Sequence, residues 1–147
     1  MKKIFIYYSH SGNGDIVANY LKKKGIDIRK VSVKEDISNN KVLSILQGGI
    51  LASINYKSKL VAFDNNINKY KEIIIGSPIW NGRLSCPINS VLNKLEIKDK
   101  KITFILYSGS GKSPKATDKL KKIYPKCNII NIKEPKNNNL DKYLKNI

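Results

Sequence analysis

The stretch Ile4-Phe5-Ile6-Tyr7-Tyr8-Ser9-His10-Ser11-Gly12-Asn13-Gly14 decides the fold class of this chain. Its first part, Ile4 to Tyr8, is an apolar run without alternation, which suits a strand buried on both faces, as in a parallel sheet. Ser9 to Gly14 then offers hydroxyls, small side chains and glycines, and gives way to Ile16, Val17, Tyr20 and Leu21 at helical spacing. A strand that ends in such a loop and enters a helix presents backbone N–H groups at the helix N-terminus, where an anion is favoured. Glycine lets the backbone approach a phosphate closely. No Lys or Arg lies within the loop, so neutral donors carry any such binding. A capped strand-to-helix turn has the same composition, and this loop by itself does not separate the two.

Working outward, Gly25 stops the first helix in the usual C-terminal position. Ile26 to Val33 alternates and predicts a second, less buried strand. Val42 to Ile54 has helical spacing, which Gly48 and Gly49 weaken by about 1 kcal/mol each. Asn55 to Lys71 carries no clear period. Glu72 to Ser77, with three consecutive isoleucines, is the clearest central strand. Pro78 to Arg83 is expected as a loop. Pro87 suits the first turn of a helix with Ile88, Val91, Leu92 and Leu95 on one face. Ile102 to Leu106 is another buried strand, and Ser108 to Ser113 another loop. Pro114 opens a helix through Leu120, Ile123 and Tyr124. Ile129, Ile130 and Ile132 form a last strand, Asn137 to Asn139 a polar turn, and Leu140 to Ile147 a terminal helix. This strand–helix alternation calls for an α/β parallel sheet with helices on both faces, because right-handed crossovers place them there. The 147 residues fit one domain, 1–147.

Ligands of open parallel sheets bind outside the carboxyl ends of the strands, near the switch in strand order. The loop after the third clear strand is Gly76-Ser77-Pro78-Ile79-Trp80-Asn81-Gly82. Trp80, the only tryptophan, can stack on a flat heterocycle or cap the core. Asn81-Gly82 is a turn-prone pair. The fourth strand is followed by Tyr107-Ser108-Gly109-Ser110-Gly111, a third small-residue loop at the same edge. Two other motifs fail. Gly111-Lys112-Ser113 lacks the P-loop glycine, because position 106 is leucine; Ser113 reads instead as a helix N-cap. His10 is the only histidine, and no nucleophile elbow presents a serine to it.

Basic residues number 28 against 11 acidic ones, a net charge of +17. They are spread along the chain, with clusters at Lys22 to Lys24, Lys98 to Lys101 and Lys119 to Lys122. Such a field attracts anions and acidic proteins. The lysines are not interleaved with aromatics as in nucleic-acid modules, so no specific nucleic acid is expected. Cys86 and Cys127 form no metal or CxxC spacing and read as buried thiols in a reducing compartment. Neither a signal peptide nor a membrane span is expected, which predicts a cytoplasmic protein without membrane insertion.

From Lys3 to about Pro114 the chain resembles the flavodoxin family. Ser9-x-Ser11-Gly12-Asn13 resembles the loop that holds the flavin phosphate. Ile75 to Trp80 resembles the segment leading to the aromatic loop beside the isoalloxazine ring, and Phe104 to Gly111 the loop at the ring's pyrimidine edge. The resemblance implies a doubly wound five-stranded parallel sheet of order 2-1-3-4-5 and FMN as cofactor. The implied contacts are Ser9, His10, Ser11, Gly12, Asn13 and Gly14, then Ser77, Pro78, Ile79, Trp80, Asn81 and Gly82, then Ser108, Gly109, Ser110 and Gly111. The Asn81–Gly82 peptide is the implied group that rearranges beside the flavin. The family usually has threonine where Gly14 stands, and its second stacking aromatic is not identifiable. Flavodoxins are typically acidic; this chain is the reverse. A positive field favours the anionic reduced flavin, and so a less negative second reduction potential and redox partners with an acidic docking face. Small size favours an electron carrier. The alternatives are an NAD(P)H-dependent flavin or quinone reductase of the same fold and, further off, a nucleic-acid binder.

Overall fold

Four of the five residues of β1 (Lys3–Tyr7) are buried, as its unalternated apolar run requires. The computed structural model describes residues 2–34 and 57–147. After β1 come α1 (Asn13–Lys23), β2 (Asp27–Lys30), β3 (Glu72–Trp80), β4 (Arg83–Leu84), α2 (Cys86–Lys94), β5 (Lys101–Ser108), α3 (Pro114–Ile123), β6 (Asn128–Lys133), a 3-10 turn at Pro135–Asn137 and the short α4 (Asp141–Leu144).

The sheet runs β2-β1-β3-β5-β6, and every pairing along that path is parallel. Those five strands have the order that the family resemblance implies. β4 adds a sixth, paired antiparallel to the end of β3. Successive residues of each central strand face opposite cores. Ile4, Ile6, Ile73, Ile75, Phe104 and Leu106 meet Ile88 and Val91 of α2 and Leu120 of α3. Phe5, Tyr7, Ile74, Ile105 and Tyr107 meet Val17 and Leu21 of α1 and Leu144 of α4. Helices therefore cover both faces.

Gly25 ends α1 as expected, with φ +78. The Gly25 and Ile26 amides bond back to the Lys22 and Leu21 carbonyls at 3.0 and 3.2 Å, the Schellman pattern. β2 is shorter than the predicted 26–33; Val33 instead bridges Leu60 in antiparallel fashion. The larger difference lies at Pro78 to Arg83, expected as a loop. There β3 continues through Trp80 and returns as β4, because Asn81 and Gly82 take φ of +48 and +74. Positive φ at both central residues makes the two-residue type I′ turn, whose twist matches that of paired strands. The terminal helix is only Asp141–Leu144. Ser113 occupies the N-cap position of α3 without capping it; its hydroxyl bonds the Asn131 side chain instead. The helix expected at Val42 to Ile54 lies outside the described residues.

Candidate functional site

Three loops meet at one sheet edge because β1, β3 and β5 are adjacent and nearly in register, with Tyr7 opposite Gly76 and Ser77 opposite Leu106. α1 leaves β1 toward one face, and α2 follows β3 on the other. The crevice between β1 and β3 is thus the switch point of the sheet.

The first loop is built by its own polar groups. Gly12, at φ +87, forms the N-cap of α1 in the left-handed region. The Gly14 amide donates to Ser9 Oγ at 3.2 Å, and Asn13 Nδ2 reaches Ser11 Oγ at 3.4 Å. Ser9 therefore braces the turn. Asp15 sits in the first turn of α1, takes the Tyr7 hydroxyl at 2.8 Å and pairs with Lys30 at 2.7 Å. Partial burial works against its ionisation, but Lys30, Tyr7 and Ser9 together hold its carboxyl below the usual range. The remaining amides of the first helical turn lack intrahelical acceptors by the geometry of any helix start.

The second loop is the β3–β4 hairpin. Ser77 is fully buried; its hydroxyl accepts the Ser85 amide at 3.1 Å and lies 3.1 Å from Ser85 Oγ. It ties the hairpin to the start of α2 rather than facing solvent. Pro78, Ile79 and Trp80 are half-buried at the end of β3. The Trp80 ring meets Tyr8 edge-on at 5.8 Å and His10 at 6.5 Å, which joins the first and second loops. Asn81 is exposed and Gly82 partly so.

The third loop closes on Ser108 Oγ, which accepts the Gly111 amide at 3.0 Å, while Ser110 Oγ accepts that of Lys112 at 3.2 Å. Gly111 has φ +69, and a Cβ there would lie 2.7 Å from that of Lys133. Gly109 and Ser110 are exposed, with open space beside Gly109.

Every residue of the expected site thus lies in one of three adjoining loops or on the strand end beside it, Ser77 to Trp80 at the end of β3 and Ser108 at the end of β5, though Ser9, Ser77 and Ser108 spend their hydroxyls on the loops themselves. Among the described residues no group of three or more His, Cys, Asp or Glu side chains could hold a metal.

The sequence profile of the family described as Flavodoxin matches residues 2–147. The chain belongs to the flavodoxin family. No curated protein matches it. Among solved structures, it is similar to a protein of Bacteroides eggerthii described as a flavoprotein, 20% identical with a TM-score of 0.74, covering 87% of this chain and 84% of that one. It is likewise similar to a flavoprotein of Lactobacillus acidophilus solved in complex with FMN, 20% identical with a TM-score of 0.69, covering 97% of each chain. At that identity the likeness establishes the fold.

In this flavodoxin the glycine at position 14 has a steric cause. A Cβ there would lie 2.6 Å from the Tyr107 hydroxyl and 2.9 Å from both Ser9 Cβ and Tyr7 Cδ2. Tyr107 rises from β5 beneath the loop, fully buried, and donates its hydroxyl to the Tyr8 carbonyl. Burial pushes that hydroxyl's pKa well up, so it stays a neutral donor. Tyr107 is therefore a prop for the first loop and not a second stacking aromatic. Two cations missing from the expected site also approach it. Lys136 lies over Gly12, and Lys115 lies against Gly82, its Cδ 3.4 Å from a Cβ built there. Lys136 is 123 residues from its partner Asn13, and no local pattern in the sequence connects them.

Proposed function

We propose that this flavodoxin, as one domain over residues 1–147, binds FMN at the crevice between β1 and β3 and carries electrons between cytoplasmic partners. The observation that carries the reading is the meeting of three small-residue loops at the switch point, with a half-buried Trp80 between them. The family and the FMN-containing relative support its FMN-binding part. The residues fit the group. Ser11, Gly12 and Asn13, with the open amides of α1, receive the phosphate, while Ser9 and Gly14 shape the loop. His10 and Trp80, in edge-to-face contact, flank the ring with Pro78 and Ile79. Ser108 to Gly111 close on its pyrimidine edge, where exposed Gly109 and Ser110 leave room. The bound flavin supplies one- or two-electron transfer. The Asn81–Gly82 peptide can turn over at low cost, because Gly82 tolerates either sign of φ.

A basic groove supports a partner with an acidic face. Arg83, Lys115, Lys119 and Lys122 line a cavity of about 450 Å³ beside the Asn81–Gly82 turn, with Asp118 as the one acidic residue in its wall. Ile123, 55% exposed, adds an apolar side chain to its wall. Among the described residues no helix is long and apolar enough to cross a membrane. The deciding experiment is the absorption spectrum of the purified protein, followed by stopped-flow mixing with NADH or NADPH. Flavin bands with slow reduction by either nucleotide support a carrier. Rapid direct reduction would make the protein a reductase, and a colourless protein that takes up no flavin would overturn the reading.

A further inference from the structure

We infer that Lys136 supplies the positive charge for the cofactor phosphate, as a specificity residue that separates phosphorylated from unphosphorylated flavin; this rests on the FMN reading above. Lys136 belongs to the 3-10 turn that follows β6. Its backbone amide donates to Asn13 Oδ1 at 3.1 Å, so the first loop itself fixes where the residue sits. Its side chain then crosses Gly12: a Cβ built on Gly12 would lie 3.1 Å from Lys136 Cε and 3.2 Å from Nζ. Gly12 caps α1, so the ammonium stands at the positive end of the helix, a place that gains only when an anion is bound there.

The surrounding charges leave Lys136 available for that role. Lys30, the other cation near the first turn, is spent on Asp15 at 2.7 Å. Among the described residues Lys136 forms no ion pair; the nearby Glu134 accepts Asn137 Nδ2 at 3.4 Å. Neutral donors in the loop are fewer than its serines suggest. Ser9 Oγ accepts the Gly14 amide and donates its own proton to the Asp15 carboxylate, and Gly14 carries no hydroxyl because Tyr107 occupies that space. A phosphate dianion in this loop would also share the first turn of α1 with the Asp15 carboxylate, whose charge Lys30 only partly offsets. A lysine over the N-cap offsets that repulsion, and a charge-assisted bond is about twice as strong as a neutral one.

The test titrates FMN and riboflavin into the apoprotein and into Lys136→Gln, reading flavin and Trp80 fluorescence. FMN affinity is expected to fall about ten-fold in the variant, with a shallower dependence on NaCl, while riboflavin affinity stays unchanged; each ten-fold is 1.4 kcal/mol. Lys136→Arg should retain most of the FMN affinity. Unchanged FMN binding by Lys136→Gln overturns the inference. So does an equal loss for both flavins, which would mean that the residue only holds the loop. If the wild-type protein binds neither flavin, the FMN reading itself falls, and Lys136 with it.

Discussion

Replacing Gly14 by threonine, the residue usual in its family, should damage this protein. The added Cβ would meet Tyr107 Oη at 2.6 Å, Ser9 Cβ at 2.9 Å and Tyr7 Cδ2 at 2.9 Å. Comfortable carbon contacts are about 3.5–4.0 Å, so each neighbour must retreat by roughly 0.6 Å or more. None is free to do so. Tyr107 is bonded to the Tyr8 carbonyl, Tyr7 to Asp15, and Ser9 to the Gly14 amide. Overpacking of a filled site costs about 1–3 kcal/mol, and three simultaneous contacts place this one near the upper end. Threonine regains only about 0.3 kcal/mol of helix propensity over glycine. The net loss of about 2–3 kcal/mol corresponds, at about 2–4 °C per kcal/mol for a chain of this size, to a Tm lower by roughly 4–12 °C. Thermal unfolding of the apoprotein by circular dichroism reads it. Tyr107→Phe in the same background removes the nearest contact and should return part of the loss, giving a coupling energy beyond the sum of the single changes. Gly14→Thr melting at or above the wild type, or strict additivity with Tyr107→Phe, would refute the steric account of this position.

Three further outcomes can be checked. Asp15 has its pKa depressed, so it contributes stability that is complete above its unfolded value of about 3.9 and fades as pH falls through the lower folded one. Asp15→Asn should therefore be less stable than the wild type at neutral pH, with the gap in urea unfolding closing in strong acid; a gap that stays constant with pH would sink this. Trp80 is the only tryptophan, so its fluorescence should be quenched as FMN binds, and Trp80→Ala should weaken binding about ten-fold, near the upper limit of about 1.5 kcal/mol for an aromatic pair. The net +17 predicts that added salt makes the second reduction potential more negative, by screening the field that favours the anionic reduced cofactor; a redox titration that does not move with salt would remove the field from the account.

The framework and the site differ in how much the sequence reveals. β1, β3 and β5 were legible because strands buried on both faces are apolar at nearly every position: Ile4 to Tyr8 and Ile73 to Ile75 throughout, and Ile102 to Leu106 but for Thr103. Gly25 was legible because a helix stop with positive φ is a local demand. From such runs and stops follow the alternation of strands and helices, and with it the edge where three loops must meet. The Asn81-Gly82 pair was recognised as a turn, yet the hairpin it makes was not, because β4 has only two residues, too few to register a period.

The serines, too, had the right composition for a ligand loop while their partners stayed hidden. Ser77 looks ligand-facing in a list of residues and is wholly buried against Ser85. The chain alone determined the layers and which loops could hold a phosphate and a flat ring, since these depend on periods of a few residues, while the strand order was implied by the resemblance to the family. Only the tertiary structure decided that Tyr107 forbids a side chain at position 14, and that Lys136 stands over Gly12 from 123 residues beyond Asn13. Contacts of that separation follow from where the sheet sets down each strand's end, and no spacing along the sequence records them.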